Sequence, residues 1–244
     1  MLATPGPASP EPASPEPAPR RIDVGPERLA TWVESFGRRH GGLTRADVDP
    51  AAVTFFAADG ARALCQLPFP PLADPAASAD SRSAGPSDAT DPLALARLVA
   101  DHAMADRTVG VLLVRLGGYA AGVFTGPAPV LAAAKVGSRL VHGRSAAGGQ
   151  SQQRFARRRE KQAREALGAA ADTAAAVFAP YRLDVLVLGG DRRAIAPLRA
   201  DARLASYFDR AADAFLTVPD PRLAVLKDTP RLFRAIRILL TEPG

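Results

Sequence analysis

Thr108-Val109-Gly110-Val111-Leu112-Leu113-Val114-Arg115-Leu116-Gly117-Gly118-Tyr119-Ala120-Ala121-Gly122-Val123-Phe124-Thr125 is the stretch on which the fold turns. Two apolar runs, Thr108–Leu116 and Tyr119–Thr125, flank a pair of glycines, and that pattern predicts a β-hairpin closed by a two-residue turn. Residues 130–141 read as a third strand, alternating in its later part. A long helical run follows, and 182–188 then read as a buried strand. A hairpin feeding a strand–helix–strand unit cannot be all parallel or all antiparallel. The expected fold class is therefore α/β, a layered sandwich with a mixed β-sheet flanked by helices.

Between the third strand and the helix stands His142-Gly143-Arg144-Ser145-Ala146-Ala147-Gly148-Gly149-Gln150-Ser151. Gly148 and Gly149 let the backbone turn sharply and approach a ligand closely, with no Cβ in the way. Ser151 suits a helix N-cap, and the residues after it are strong helix formers to about Leu167 or beyond. Phe155, Ala163, Ala166, Leu167 and Ala170 recur at helical spacing as one apolar stripe. Arg154, Arg157, Arg158, Lys161 and Arg164 fall on the remaining surface. Glu160 is the only acid between Arg139 and Arg164, so the run reads as an unbalanced cationic stripe rather than a salt-bridged exterior.

This junction holds no carboxylate pair, no thiol and no metal-ligand cluster. Gln150 does not titrate, yet its amide can order a water. Its backbone N–H, near a helix N-terminus, can donate to a developing oxyanion. Catalysis by positioning of this kind suits an activated ester. A cationic run with Phe155 as its one aromatic suits a phosphate backbone. An ester carried on RNA means aminoacyl- or peptidyl-tRNA.

The string His142-Gly143-Arg144, Gly148-Gly149-Gln150-Ser151, Arg154-Phe155, Arg157 and Arg159-Glu160 resembles the G-G-Q loop and following helix of the middle domain of archaeal and eukaryotic class-I peptide release factors. A G-G-Q triplet alone would arise by chance roughly 0.05 times in such a chain; the flanking H-G-R and R-F-x-R pattern carries the resemblance. The chain departs from the release-factor form by Ser145-Ala146-Ala147, inserted before the triplet, and nothing like the N-I-K-S codon-reading motif is present. That combination resembles the stop-codon-independent Vms-like and ANKZF-type peptidyl-tRNA hydrolases of ribosome quality control and their bacterial, actinobacterial-like counterparts. The resemblance implies a release-factor catalytic domain that hydrolyses the peptidyl-tRNA ester in the peptidyl-transferase centre. Its catalytic residues would be Gly148, Gly149 and Gln150. Arg144, Ser151, Arg154, Arg157, Arg158, Arg159 and Lys161 would be the RNA contacts. Neither metal nor cofactor is expected. The implied partners are the large ribosomal subunit with its 23S-type rRNA and peptidyl-tRNA; neither DNA nor membrane is expected, and the protein is read as a monomer.

The rest of the chain fits around this core. Lys and Arg number 31 against 25 Asp and Glu, a net charge of +6 with pI near 10.2, which favours an acidic partner such as nucleic acid. Cys65 is the only cysteine and reads as a core residue. There is no 18-residue apolar run and no basic-then-apolar leader, so a cytoplasmic location is expected. Residues 1–21, rich in Pro, Ala, Ser and Glu, read as a disordered tail. Residues 22–72 read as a helix bearing Leu29, Trp32, Val33 and Phe36, followed by a hairpin across Asp59-Gly60, packed on the main domain. Residues 73–91 read as a flexible loop. Residues 92–244 read as the catalytic domain, with its loop at 142–151. Within it, Gly189-Gly190-Asp191 reads as a tight turn before a helix, His102 as a satisfied helix residue, His142 as a structural or RNA-contacting residue, and Pro230 onward as a terminal amphipathic helix with Arg231, Arg234 and Arg237 on a second basic surface. Two other functions remain open: a nuclease of similar shape that cuts the tRNA 3′ CCA end, and a non-catalytic ribosome- or RNA-binding factor.

Overall fold

The structure, a computed structural model, describes residues 18–72, 91–115, 117–138 and 151–243, without the side chains of 151–156, 158 and 159. The described residues form two five-stranded sheets and six α-helices, the α/β class expected. The second sheet carries the functional segment. Its strands are β5 (Val109–Arg115), β6 (Gly118–Thr125), β7 (Val130–Ser138), β8 (Val185–Gly190) and β9 (Ala211–Leu216), in the order β7-β6-β5-β8-β9. The hairpin forms, but one residue earlier than the glycine pair suggested: Gly118 belongs to β6 and lies opposite Arg115, and Gly117 has φ +82°. β6 is antiparallel to β5 and β7, whereas β8 is parallel to β5 and β9, so the sheet is mixed.

Residues 109–114 are all buried because helices cover both faces of this sheet, and a doubly covered strand reads as a continuous apolar run. On one face α3 (Ser151–Phe178) packs Ala170, Ala171, Ala174, Val177 and Phe178 against Leu112, Ala121, Val123 and Leu186. On the other, α6 (Leu223–Phe233) packs Leu226 and Phe233 against Val111, Leu113, Phe124 and Val187. Each fully buried Leu or Val here contributes about 1.5–3 kcal/mol by leaving water.

The first sheet has the order β1-β10-β4-β3-β2: β1 (Arg20–Val24), β10 (Ile236–Thr241), β4 (Arg62–Gln66), β3 (Ala52–Ala57) and β2 (Leu43–Asp49). Its apolar face packs on α1 (Leu29–Arg39) and α2 (Pro92–Met104). α1 buries Leu29, Val33 and Phe36, with Trp32 stacked on Phe36 at 5.7 Å, and gives way to Gly41 and Gly42 at positive φ. α2 opens with Pro92 behind Asp91, whose Oδ1 accepts from the Leu93 amide at 2.9 Å.

Three expectations are corrected here. β1 begins at Arg20, inside the segment read as tail, and β2 occupies residues to which no element was assigned. The chain does not end in a helix from Pro230. Pro230 lies in the last turn of α6, and Ile236, Ile238 and Leu240 alternate inward from a strand held between β1 and β4. The cores also group α2 and β10, expected with residues 92–244, with the N-terminal strands.

The two layers are joined through Phe69, which follows β4 and enters the second sheet's core 6.1 Å from Phe233. His102 of α2 bonds the Phe69 carbonyl through Nε2 at 2.7 Å, and the Arg107 guanidinium lies 5.0 Å over the Phe69 ring.

Candidate functional site

β5, β7, β8 and β9 run in one direction, so Arg115, Ser138, Gly190 and Leu216 all end at one edge of the second sheet. α3 runs the opposite way. It finishes at Phe178, near the edge where β8 begins opposite Val109. Among its described side chains, the buried ones begin at Ala166 and continue through Ala170, Ala171, Thr173, Ala174, Val177 and Phe178. The packed part is therefore about 18 Å long at 1.5 Å per residue, close to the length of a six-residue strand.

The first half of α3 lies beyond that. Arg157, Glu160, Lys161, Ala163, Arg164 and Glu165 are exposed. Residues 151–165, about 22 Å of helix, precede that buried face, and of their described side chains only Gln162 is half-buried. This is the stalk that the cationic run suggested, and the small side chains behind it explain its footing. Ala170 and Ala174 let the helix sit close to the sheet. Tyr119 fills the space over Gly137, where a Cβ would stand 2.5 Å from its ring.

The site residues read from sequence divide by where they fall. Arg144, Gly148, Gly149 and Gln150, with His142, lie outside the described residues. Ser151 opens α3, and Arg154, Phe155, Arg157, Arg158, Arg159 and Lys161 follow along its first half. Of these, the described side chains are those of Arg157 and Lys161, both exposed.

Two expectations about the stalk are corrected. Ala163 is exposed rather than part of the packed stripe, on a different side of the helix from half-buried Gln162 and buried Ala166. The cationic stripe is also partly balanced: Arg164 donates to Glu160 at 3.3 Å and Lys161 lies 3.9 Å from Glu165, both one helical turn apart. Such exposed pairs contribute only a few tenths of a kcal/mol each and open easily to another anion.

The other candidate groups are structural. His102 is half-buried between the layers, and its pKa is lowered, first by burial and further by the Arg107 guanidinium, against the opposing bond to Phe69. Cys65 is buried in the first core, which pushes its thiol up to about 12 and keeps it protonated and unreactive. Gly190, at φ +100°, turns where a Cβ would run into the Val114 carbonyl, and Asp191 then accepts from the Arg193 amide at 2.8 Å. This is the tight turn expected. The second basic surface is largely paired, Arg234 with Glu27 at 3.1 Å and Arg237 with Asp23 at 3.8 Å. Among the described residues no group of three or more His, Cys, Asp or Glu side chains could hold a metal ion, and no helix is long and apolar enough to cross a membrane.

Fold and helix together define the class: a layered α/β protein whose distinguishing part is a long helix with a polar first half, exposed at most of its described side chains, anchored to the sheet by its second half. Comparison with protein families says which. Residues 107–239, more than half of the chain, match the Actinobacteria/chloroflexi VLRF1 release factor, and the chain belongs to that family. The matched range covers the second layer and continues into β10. No curated protein matches the chain. Family membership places the protein among release factors, with the ribosome as partner.

Proposed function

We propose that the protein is a codon-independent peptidyl-tRNA hydrolase. It cleaves the ester between nascent peptide and tRNA on stalled ribosomes or free large subunits, in the cytoplasm and as a monomer. The observation that carries this reading is the first half of α3, about 22 Å of helix whose described side chains are exposed apart from the half-buried Gln162. A catalytic group placed before Ser151 can then enter a narrow cavity while the body stays outside. In this reading Gly148 and Gly149 set the backbone, and Gln150 orders the attacking water and offers its N–H to the developing oxyanion. Arg144, Ser151, Arg154, Arg157, Arg158, Arg159 and Lys161 hold 23S-type rRNA or the tRNA acceptor end. The catalytic unit is the second layer with its loop at 142–151, and no metal or cofactor takes part.

The test is single-turnover release of a labelled peptide from purified stalled complexes. Gln150→Ala and Gly149→Ala are expected to lower the rate at least about 100-fold with unchanged melting. The freed tRNA should keep its CCA end on sequencing. Loss of that end would make the protein a nuclease, and full release by both variants would remove the catalytic assignment.

A further inference from the structure

The edge from which the stalk rises carries guanidinium groups that hydrolysis leaves unused. Two concavities meet there at Arg115. One, about 530 Å³, is lined by Arg115, Gly137, Ser138, Asp220 and Arg222; the other, about 410 Å³, by Arg115, Gly190, Asp191, Arg192 and Arg193. Arg192, Arg193 and Arg222 are exposed, and the Arg115 side chain is 41% exposed. Arg115 is aimed by its bond to the Val218 carbonyl at 3.0 Å, and Arg192 by the Phe215 ring, 4.2 Å away.

Among the described residues, two carboxylates line these concavities. Asp191 is engaged with the Arg193 amide, and Asp220 lies 3.8 Å from Arg115 with its side chain 64% exposed. Four cations from β5, α4 (Arg192–Ile195) and the residue preceding α6 thus face two anions, one of them already committed.

We infer that this edge is a second docking surface for RNA, gripping the phosphodiester backbone beside the foot of the stalk. Guanidinium groups bind phosphate oxygens in pairs of parallel hydrogen bonds, which suits four of them on a rigid strand edge. An acidic protein partner fits less well. Among the described residues the large exposed apolar side chains lining this edge are Val136 and Leu223, too few for the apolar centre of a protein interface. The surface steers RNA across the sheet edge, so that phosphates held at Arg115 and Arg222 fix the direction in which the stalk points. The inference takes RNA as partner from the proposed function but does not depend on Gln150.

The full chain tests it, with a fluorescently labelled acceptor-stem RNA hairpin ending in CCA, titrated from 50 to 200 mM salt. Replacing Arg193 and Arg222 together by Gln is expected to flatten the plot of log affinity against log salt by about 1.5 to 2 and to weaken binding about tenfold at 100 mM. Extending the change to Arg115 and Arg192 should flatten it further. Both side chains of the double variant are exposed, so its melting should match the parent. An unchanged slope in the folded double variant overturns the inference. Gln150→Ala, assayed in parallel, should bind RNA like the parent. If that variant fails to release peptide while the Arg193/Arg222 slope is unchanged, only the docking surface is lost; if it releases normally while the slope flattens, only the hydrolysis is.

Discussion

Gly168 sits in α3 two residues past the start of its buried face, is exposed, and has no heavy atom within 4 Å of where a Cβ would stand. Gly168→Ala adds a methyl group to open space and restricts the unfolded chain, so it should stabilise the protein by about 0.5–1 kcal/mol, raising Tm by about 1–4 °C. Gly168→Pro removes the bond to the carbonyl one turn earlier and costs about 3 kcal/mol. It also bends the helix by about 20° or more. The lever from Ser151 to Gly168 is about 25 Å, so its end swings by about 9 Å. A misplacement of about 1 Å can already cost about 100-fold in rate. Folded Gly168→Pro protein should therefore release peptide at least about 100-fold more slowly than the parent, and Gly168→Ala at the parental rate. The assay is single-turnover release below the melting point of each variant, with circular dichroism confirming the fold. Parental release by the proline variant would refute the view that α3 works as a rigid lever.

Three further outcomes follow from the packing. Gly137→Ala drives a methyl group into the Tyr119 ring and should cost about 1–3 kcal/mol by urea denaturation; combined with Tyr119→Ala the two losses should be less than additive, and strict additivity would mean the contact is not the cause. His102 has a folded pKa below its ordinary 6.5, so the unfolded chain takes up its proton first as pH falls. Its contribution is complete above 6.5 and is lost as pH drops toward the lowered value, and His102→Gln should flatten this part of the pH dependence of the urea midpoint. Asp91→Ala should cost about 1 kcal/mol through loss of the α2 cap, whereas Asp91→Asn should cost little; equal losses would count against the cap.

What could be read from sequence was whatever is decided locally. The β5–β6 hairpin announced itself through glycines between continuous apolar runs, and α3 through its composition. β10 did not. Ile236-Arg237-Ile238-Leu239-Leu240 is too short an apolar run to tell strand from helix by period, and the arginines at 231, 234 and 237 imitated a helical face. Partners from far along the chain settle it, with Ile238 held between Ile22 and Cys65. β1 was hidden for the same reason: Arg20-Arg21-Ile22-Asp23-Val24 looks like polar tail until β10 lies beside it. The stalk's charge was visible, but which of its alanines pack was not, because alanine at 163 and at 166 looks the same in sequence and only the side of the helix each occupies separates them. The arginines at 115, 192, 193 and 222 gave no signal at all, being gathered by topology rather than by spacing.

The position of β10 has a consequence for how the molecule is made. Because this strand returns between β1 and β4, the second layer is a guest inserted into an interrupted host. The guest can assemble as soon as its own strands have been synthesised. The host must wait with a vacant lane between β1 and β4 until residues 236–241 arrive, and that long-range closure is the slow, exposed step of the kind chaperones attend.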